Sequence, residues 1–296
     1  MLPHPSLKPL YDRLVWVYVY RDFSGSEADR TAERILLRFG VSSWPQLFLA
    51  DPHDWKILKH TGRTTESFLA AASAVSVSAT RSKEALEQTR AGEALAVRLE
   101  TRPTTKMARE ALEHADIVAR ARGLGVLADK DRKFIVQRAE KLLTVPNDPF
   151  RYRVCEVLAK AADPAAARAL AAIVENPTGS LNPNVMRIHA VKALAACGDV
   201  RSVDAIAPFA QSGDYFNGLT GTAVDALAAI AKRHKNARKE VRRALKAAYP
   251  HPPKEDDARA QRACVALAKR IHKALGEKRP FPKVYDEKAR AKLVDS

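Results

Sequence analysis

Hydrophobic and polar positions change their period along the chain, and the changes mark its elements. Val15-Trp16-Val17-Tyr18-Val19-Tyr20 is β-branched and aromatic throughout, the pattern of a strand buried in a sheet. Arg21 to Gly25 make a polar turn. Ala28, Ala32, Ile35, Leu36 and Phe39 then share one helical face over Glu27 to Phe39, with Gly40 placed to cap the C-terminus. A second strand is expected at Gln46 to Leu49 and a third at Trp55 to His60, joined by the turn chemistry of Asp51-Pro52-His53-Asp54. Gly62 ends the third strand, and Thr64 or Thr65 caps a helix running to about Ala74.

Beyond residue 75 the period is helical. Val75 to Thr80 is small and polar, and Lys83 to Glu100 is a helix with little apolar face. Thr101-Arg102-Pro103-Thr104 breaks it, so residues 76–104 read as a helical connector. Helices are expected at Thr105 to Ala121 and Lys130 to Thr144, with Gly123 and Gly125 breaking the chain between them. From Asp148 onwards a segment recurs. Arg151 to Lys160 matches Arg187 to Ala196, and both lead into an acidic turn, at Asp163 and Asp199. Thr222 to Ala229 and Cys264 to Lys269 repeat the pattern. The equivalent leucines are Leu158, Leu194, Leu227 and Leu267, spaced 36, 33 and 40 residues apart. Second helices fall at about Ala165 to Val174, Ser202 to Ala210 and Ala237 to Ala248.

Two resemblances follow from these residues. The run from Phe39 through Gly40, Val41 and Trp44-Pro45 to Leu49, then a turn, a strand and Gly62, resembles the second half of a thioredoxin-like domain over residues 1–75. The resemblance implies a cis peptide bond before Pro45, and a ledge at Trp44 and Pro45 that contacts a protein partner. Gln46 stands where that family has threonine, and only 14 residues precede the first strand, none of them cysteine. The redox motif and the central strand are therefore missing, and a buried sheet without its middle strand leaves backbone groups unpaired. A start upstream of Met1, a strand supplied by a partner chain and a rearranged sheet all account for this. The paired helices of residues 105–276, with first helices of "AxxALA" type, resemble alanine-rich HEAT repeats stacked as an α-solenoid. The fold class expected is α+β, mainly α. A basic tail, residues 277–296, completes it, either docked as a cap through Phe281 and Tyr285 or loose.

Composition sharpens one point. The 296 residues carry a net charge of +16, with 20 Lys/Arg against 8 Asp/Glu from Ala231 onwards and 30 against 26 before it. An acidic partner is therefore expected at the C-terminal end. Arg238, Arg242 and Lys246 recur every four residues on one helix face, Lys239 and Arg243 form the next stripe, and Lys235 precedes them. This set is the candidate polyanion site, weighed against a plain solvated face. Interleaved aromatics for base stacking are nearly absent, Tyr249 being the one close by.

Other chemistry finds no footing. Cys155, Cys197 and Cys264 lie far apart in apolar helical patterns and read as buried, inert thiols. The histidines show no metal spacing, and His189 reads as a core or groove residue. No phosphate loop or nucleophile elbow is present, so no catalytic residue, metal or cofactor is expected. The longest apolar run, Leu14 to Tyr20, is too short to span a membrane, and Met1-Leu2-Pro3-His4-Pro5 has no signal-peptide pattern, so a cytoplasmic protein is expected. The first functional expectation is a non-enzymatic scaffold that binds a protein on its repeat surface. The alternatives are a thiol-disulfide protein whose CxxC half lies upstream, and a nucleic-acid or polyanion binder. Nothing in the sequence sets the oligomeric state.

Overall fold

The computed structural model describes residues 5–10, 14, 15, 17, 19, 21, 23–41, 46–51, 57–62, 64–75, 83–211, 218–253, 257–278 and 280–295. They are mainly helical, with one two-stranded sheet. The chain divides into two compact units, residues 1–130 with 147–150 and residues 131–146 with 151–296. The division falls after Lys130.

The first unit opens with a 3-10 turn, Pro5–Leu10, whose Leu7 is fully buried. Helix α1 (Glu27–Arg38) starts where the Ser26 side chain accepts from the Asp29 backbone N–H at 3.1 Å. Asp29 is itself buried, and its carboxylate accepts from the Arg21 side chain and the backbone N–H groups of Phe23 and Gly25. Gly40 takes φ +65°, as its reading as a C-terminal cap requires. Strands β1 (Phe48–Ala50) and β2 (Ile57–His60) pair antiparallel, with a slip between Leu49 and Ala50. A Thr64–Ser67 capping box begins α2 (Thr65–Ala74). Leu7, Leu49, Phe68 and Ala71 join in one small core. Helices α3 (Lys83–Thr101), α4 (Thr105–Glu113) and α5 (Ile117–Lys130) pack on one another, and α5 also meets α1.

Two expectations are corrected here. Val15, Val17 and Val19 are not in a strand, and Val15 and Val17 are 88% and 72% exposed. Trp16, Tyr18 and Tyr20 lie outside the described residues. β-branched composition supplies propensity, but a ladder also needs a neighbouring edge, and the described sheet pairs only β1 with β2. The break expected at Gly123 and Gly125 is likewise absent. Helix α5 runs through both, and the chain turns instead at residues 114–116, where Asp116 caps α5 by accepting from Val118 and Ala119.

The second unit contains α6 (Arg132–Gln137), α7 (Ala139–Leu143), all but the first turn of α8 (Asp148–Ala161), α9 (Ala167–Glu175), α10 (Pro183–Cys197), α11 (Ser202–Ala210), α12 (Gly218–Arg233), α13 (Arg238–Ala247), α14 (Ala258–Ala274) and α15 (Glu287–Asp295). Short 3-10 turns precede α9 and α13, at Pro164–Ala166 and Lys235–Ala237. Helix α10 packs on α9 and α12, α11 on α9, α12 and α13, and α12 on α13 and α14. The four equivalent leucines are buried: Leu158, Leu194, Leu227 and Leu267. Alanines such as Ala190, Ala193, Ala223 and Ala226 fill the same interior, which is how these helices approach closely. The tail docks. Tyr285 is buried and its hydroxyl donates to the Pro250 carbonyl at 2.7 Å, Phe281 stacks on Tyr285 and meets His272 edge-on, and Arg290 donates to the Tyr249 carbonyl.

Candidate functional site

Helix α13 is sharply two-sided. Val241, Ala244 and Leu245 face inward, while Arg238, Lys239, Arg242 and Arg243 are exposed and Lys246 is half-buried. Lys239, Arg242, Arg243 and Lys246 surround a depression of about 430 Å³, whose apolar wall is Ala247 on α13 and Val294 on α15. Lys235 and Arg238 stand outside that lining, and Arg238 donates to the Ala231 carbonyl at 3.3 Å. Glu277 holds Arg242 in an ion pair at 2.8 Å. Among the described residues no acidic side chain pairs with Lys239, Arg243 or Lys246. Three cations thus line one hollow without an acidic partner among the described residues. Trp44 and Pro45, the other candidates, lie outside the described residues.

A second hollow, of about 320 Å³, opens between α8 and α10. Cys155, Glu156, Ala159 and Lys160 line it from α8, and His189, Lys192 and Ala193 from α10. The floor is small because Ala159, Ala193 and Cys155 are small. At the rim Glu156, Lys160 and Lys192 are exposed, yet no ion pair joins them to one another. Tyr152 stacks face to face on His189, ring centres 4.3 Å apart and nearly coplanar at 7°. Burial lowers the His189 pKa, with Lys192 adding to the effect and Glu156 opposing it, so the imidazole is neutral at pH 7. Sequence reasoning placed His189 at a groove but missed Glu156, Lys160 and Lys192. The signal was in the repeat register, since Glu156 and Lys192 each stand two residues before an equivalent leucine.

Asp225 on α12 likewise stands two residues before a recurring leucine, Leu227. Its carboxylate takes a two-pronged ion pair from Arg270 on α14, which raises the Arg270 pKa. Gly221, one turn earlier on α12, leaves space for the guanidinium. Here the acid is spent on a helix–helix clasp. At Glu156 it is left open.

The thiols offer no nucleophile. Burial pushes Cys155 far up, and Cys197 and Cys264 up to about 11, so all three stay protonated at neutral pH. Among the described residues no cluster of three or more His, Cys, Asp or Glu is placed to hold a metal ion, and no helix is long and apolar enough to cross a membrane.

No family model, curated protein or solved structure matches the chain. The thioredoxin-like and HEAT-like resemblances therefore rest on this chain's own residues.

Proposed function

We propose that the protein works by binding, through a HEAT-like α-solenoid whose basic α13 face takes nucleic acid by its phosphates. Packing of α9 to α14 on their near neighbours in the chain supports the solenoid reading. The observation that carries the function is the hollow ringed by Lys239, Arg242, Arg243 and Lys246, three of them without an acidic partner among the described residues. Like charges crowded on one helix face repel, and a polyanion relieves that repulsion while releasing its own counterions. With hardly any aromatic side chain near the face, phosphate contacts dominate, so the ligand is a duplex bound with little sequence preference.

Fluorescence anisotropy with a labelled 20-bp DNA duplex tests this. Four phosphate contacts give a log–log salt slope of about −3 to −4. The double change Arg243→Glu and Lys246→Glu, on side chains outside the core, lowers affinity at least tenfold with unchanged circular dichroism. Absence of binding at 50 mM salt, or equal binding by the variant, defeats the proposal.

A protein partner on the repeat surface is the second reading, favoured by the open hollow between α8 and α10. The antiparallel β1–β2 pair followed by α2 supports a partial thioredoxin-like unit as a further partner-binding element.

A further inference from the structure

We infer that the hollow between α8 and α10 is a binding site for an α-carboxylate with an adjacent N–H donor, as at a peptide C-terminus or in a free amino acid. The inference rests on the protein-binding reading of the array and is independent of the α13 face.

Charge is the first argument. Lys160 from α8 and Lys192 from α10 line the same hollow, so two cationic side chains border it, one from each helix. Glu156 stands one helical turn before Lys160, a spacing at which Glu and Lys ordinarily pair. Here they do not, and no other ion pair consumes Glu156, Lys160 or Lys192 among the described residues. One hollow thus presents two free cations and one free anion. A carboxylate meets the cations, and the N–H or ammonium beside it meets Glu156.

Shape is the second argument. His189 lines the hollow, and its face-to-face stack on Tyr152 already fixes the imidazole before anything binds. The neutral imidazole adds one donor or acceptor without a third positive charge. A floor of Cys155, Ala159 and Ala193 admits a short aliphatic group, and about 320 Å³ holds one or two residues rather than a folded surface. The buried Cys155 thiol is protonated, so nothing at the floor reacts with what binds.

Isothermal titration of the full chain tests the inference with three probes: degenerate tetrapeptides with a free C-terminus, the same tetrapeptides as C-terminal amides, and an equimolar mixture of free amino acids. Free-acid peptides, free amino acids or both should bind, and whichever does identifies the source. Amidation should weaken binding at least tenfold. Lys160→Ala with Lys192→Ala should weaken it by a similar factor, since both side chains are exposed and the fold survives their loss. Arg243→Glu with Lys246→Glu should leave it unchanged. If amides and acids bind equally and the lysine variant still loses both, a protein-binding groove stands but carboxylate recognition is overturned. If no probe binds, or the lysine variant binds as well as the native chain, the site is overturned as well.

Discussion

At the scale of single residues, Tyr249 shows how the C-terminal helices are closed. It is buried at 2% exposure against His272, whose Nδ1 lies 3.4 Å from the phenol oxygen. Burial pushes its pKa up from 10.0 to about 12, Glu277 adds to the rise and Arg242 opposes it. Tyr285, on the docked tail, is raised for the same first reason. The folded protein therefore keeps these protons through a window in which the unfolded chain has lost them. For Tyr249 that contribution to stability is fully present below pH 10 and disappears as pH rises towards 12, and for Tyr285 the loss extends further up. For Tyr249 the slope is about 1.4 kcal/mol per pH unit within that window. Tyr249→Phe should flatten the fall in urea midpoint between pH 10 and 12 compared with the native chain. Identical pH profiles would show that the phenol is not held as its burial implies.

Elements are set by packing as much as by pattern, and α5 is the clearest instance. Glycine in a helix interior ordinarily costs about 1 kcal/mol relative to alanine, so replacing Gly123 should help. The structure reverses that sign. A Cβ at Gly123 would stand 2.6 Å from the Ala108 carbonyl oxygen and 2.9 Å from the Leu112 nitrogen, both backbone atoms of α4. Backbone cannot swing aside, so α4 and α5 must separate at a cost of about 1–3 kcal/mol. Gly123→Ala should lower the thermal midpoint by a few degrees, while Gly125→Ala, with nothing within 4 Å of the added atom, should raise it slightly. A stabilised Gly123→Ala would mean the helices are not in contact there. This is also why the sequence misled. Gly123 reads as a helix break in isolation and is a contact point only once α4 is beside it. Helices α10 to α14 were legible because their apolar spacing and the recurring leucines are local signals, and they lie close to where those signals put them. The strand expected at Val15 to Tyr20 was not, because its burial depends on a neighbour the pattern does not contain. The α8–α10 hollow joins Glu156 to Lys192 across 36 positions, which only an aligned repeat register brings together.

Charge acts on the whole molecule and gives salt two opposite roles. The chain carries +16, and most of the surplus lies from Ala231 onwards, in α13, α14, the tail and the segments between them. On α13, Lys239, Arg243 and Lys246 have no acidic partner among the described residues, and folding this region brings their like charges together. Each like-charged i, i+4 pair costs about 0.2–0.5 kcal/mol, and the cost falls as the Debye length shrinks from about 10 Å at 0.1 M salt to about 3 Å at 1 M. The ion pair that salt also weakens on α13, Arg242–Glu277, is half-exposed at its guanidinium and contributes little to begin with. Screening of repulsion therefore outweighs screening of attraction. Raising sodium chloride from 50 to 500 mM should raise the thermal midpoint of the free protein while it weakens duplex binding. Arg243→Ala with Lys246→Ala should raise the midpoint at low salt and shrink the gain from added salt, because two of the repelling charges are gone. A polyanion should do at micromolar concentration what salt does at hundreds of millimolar, since it neutralises the same face by contact. If salt lowers the midpoint instead, attraction dominates in this region, and the α13 face has its counterions within the fold after all.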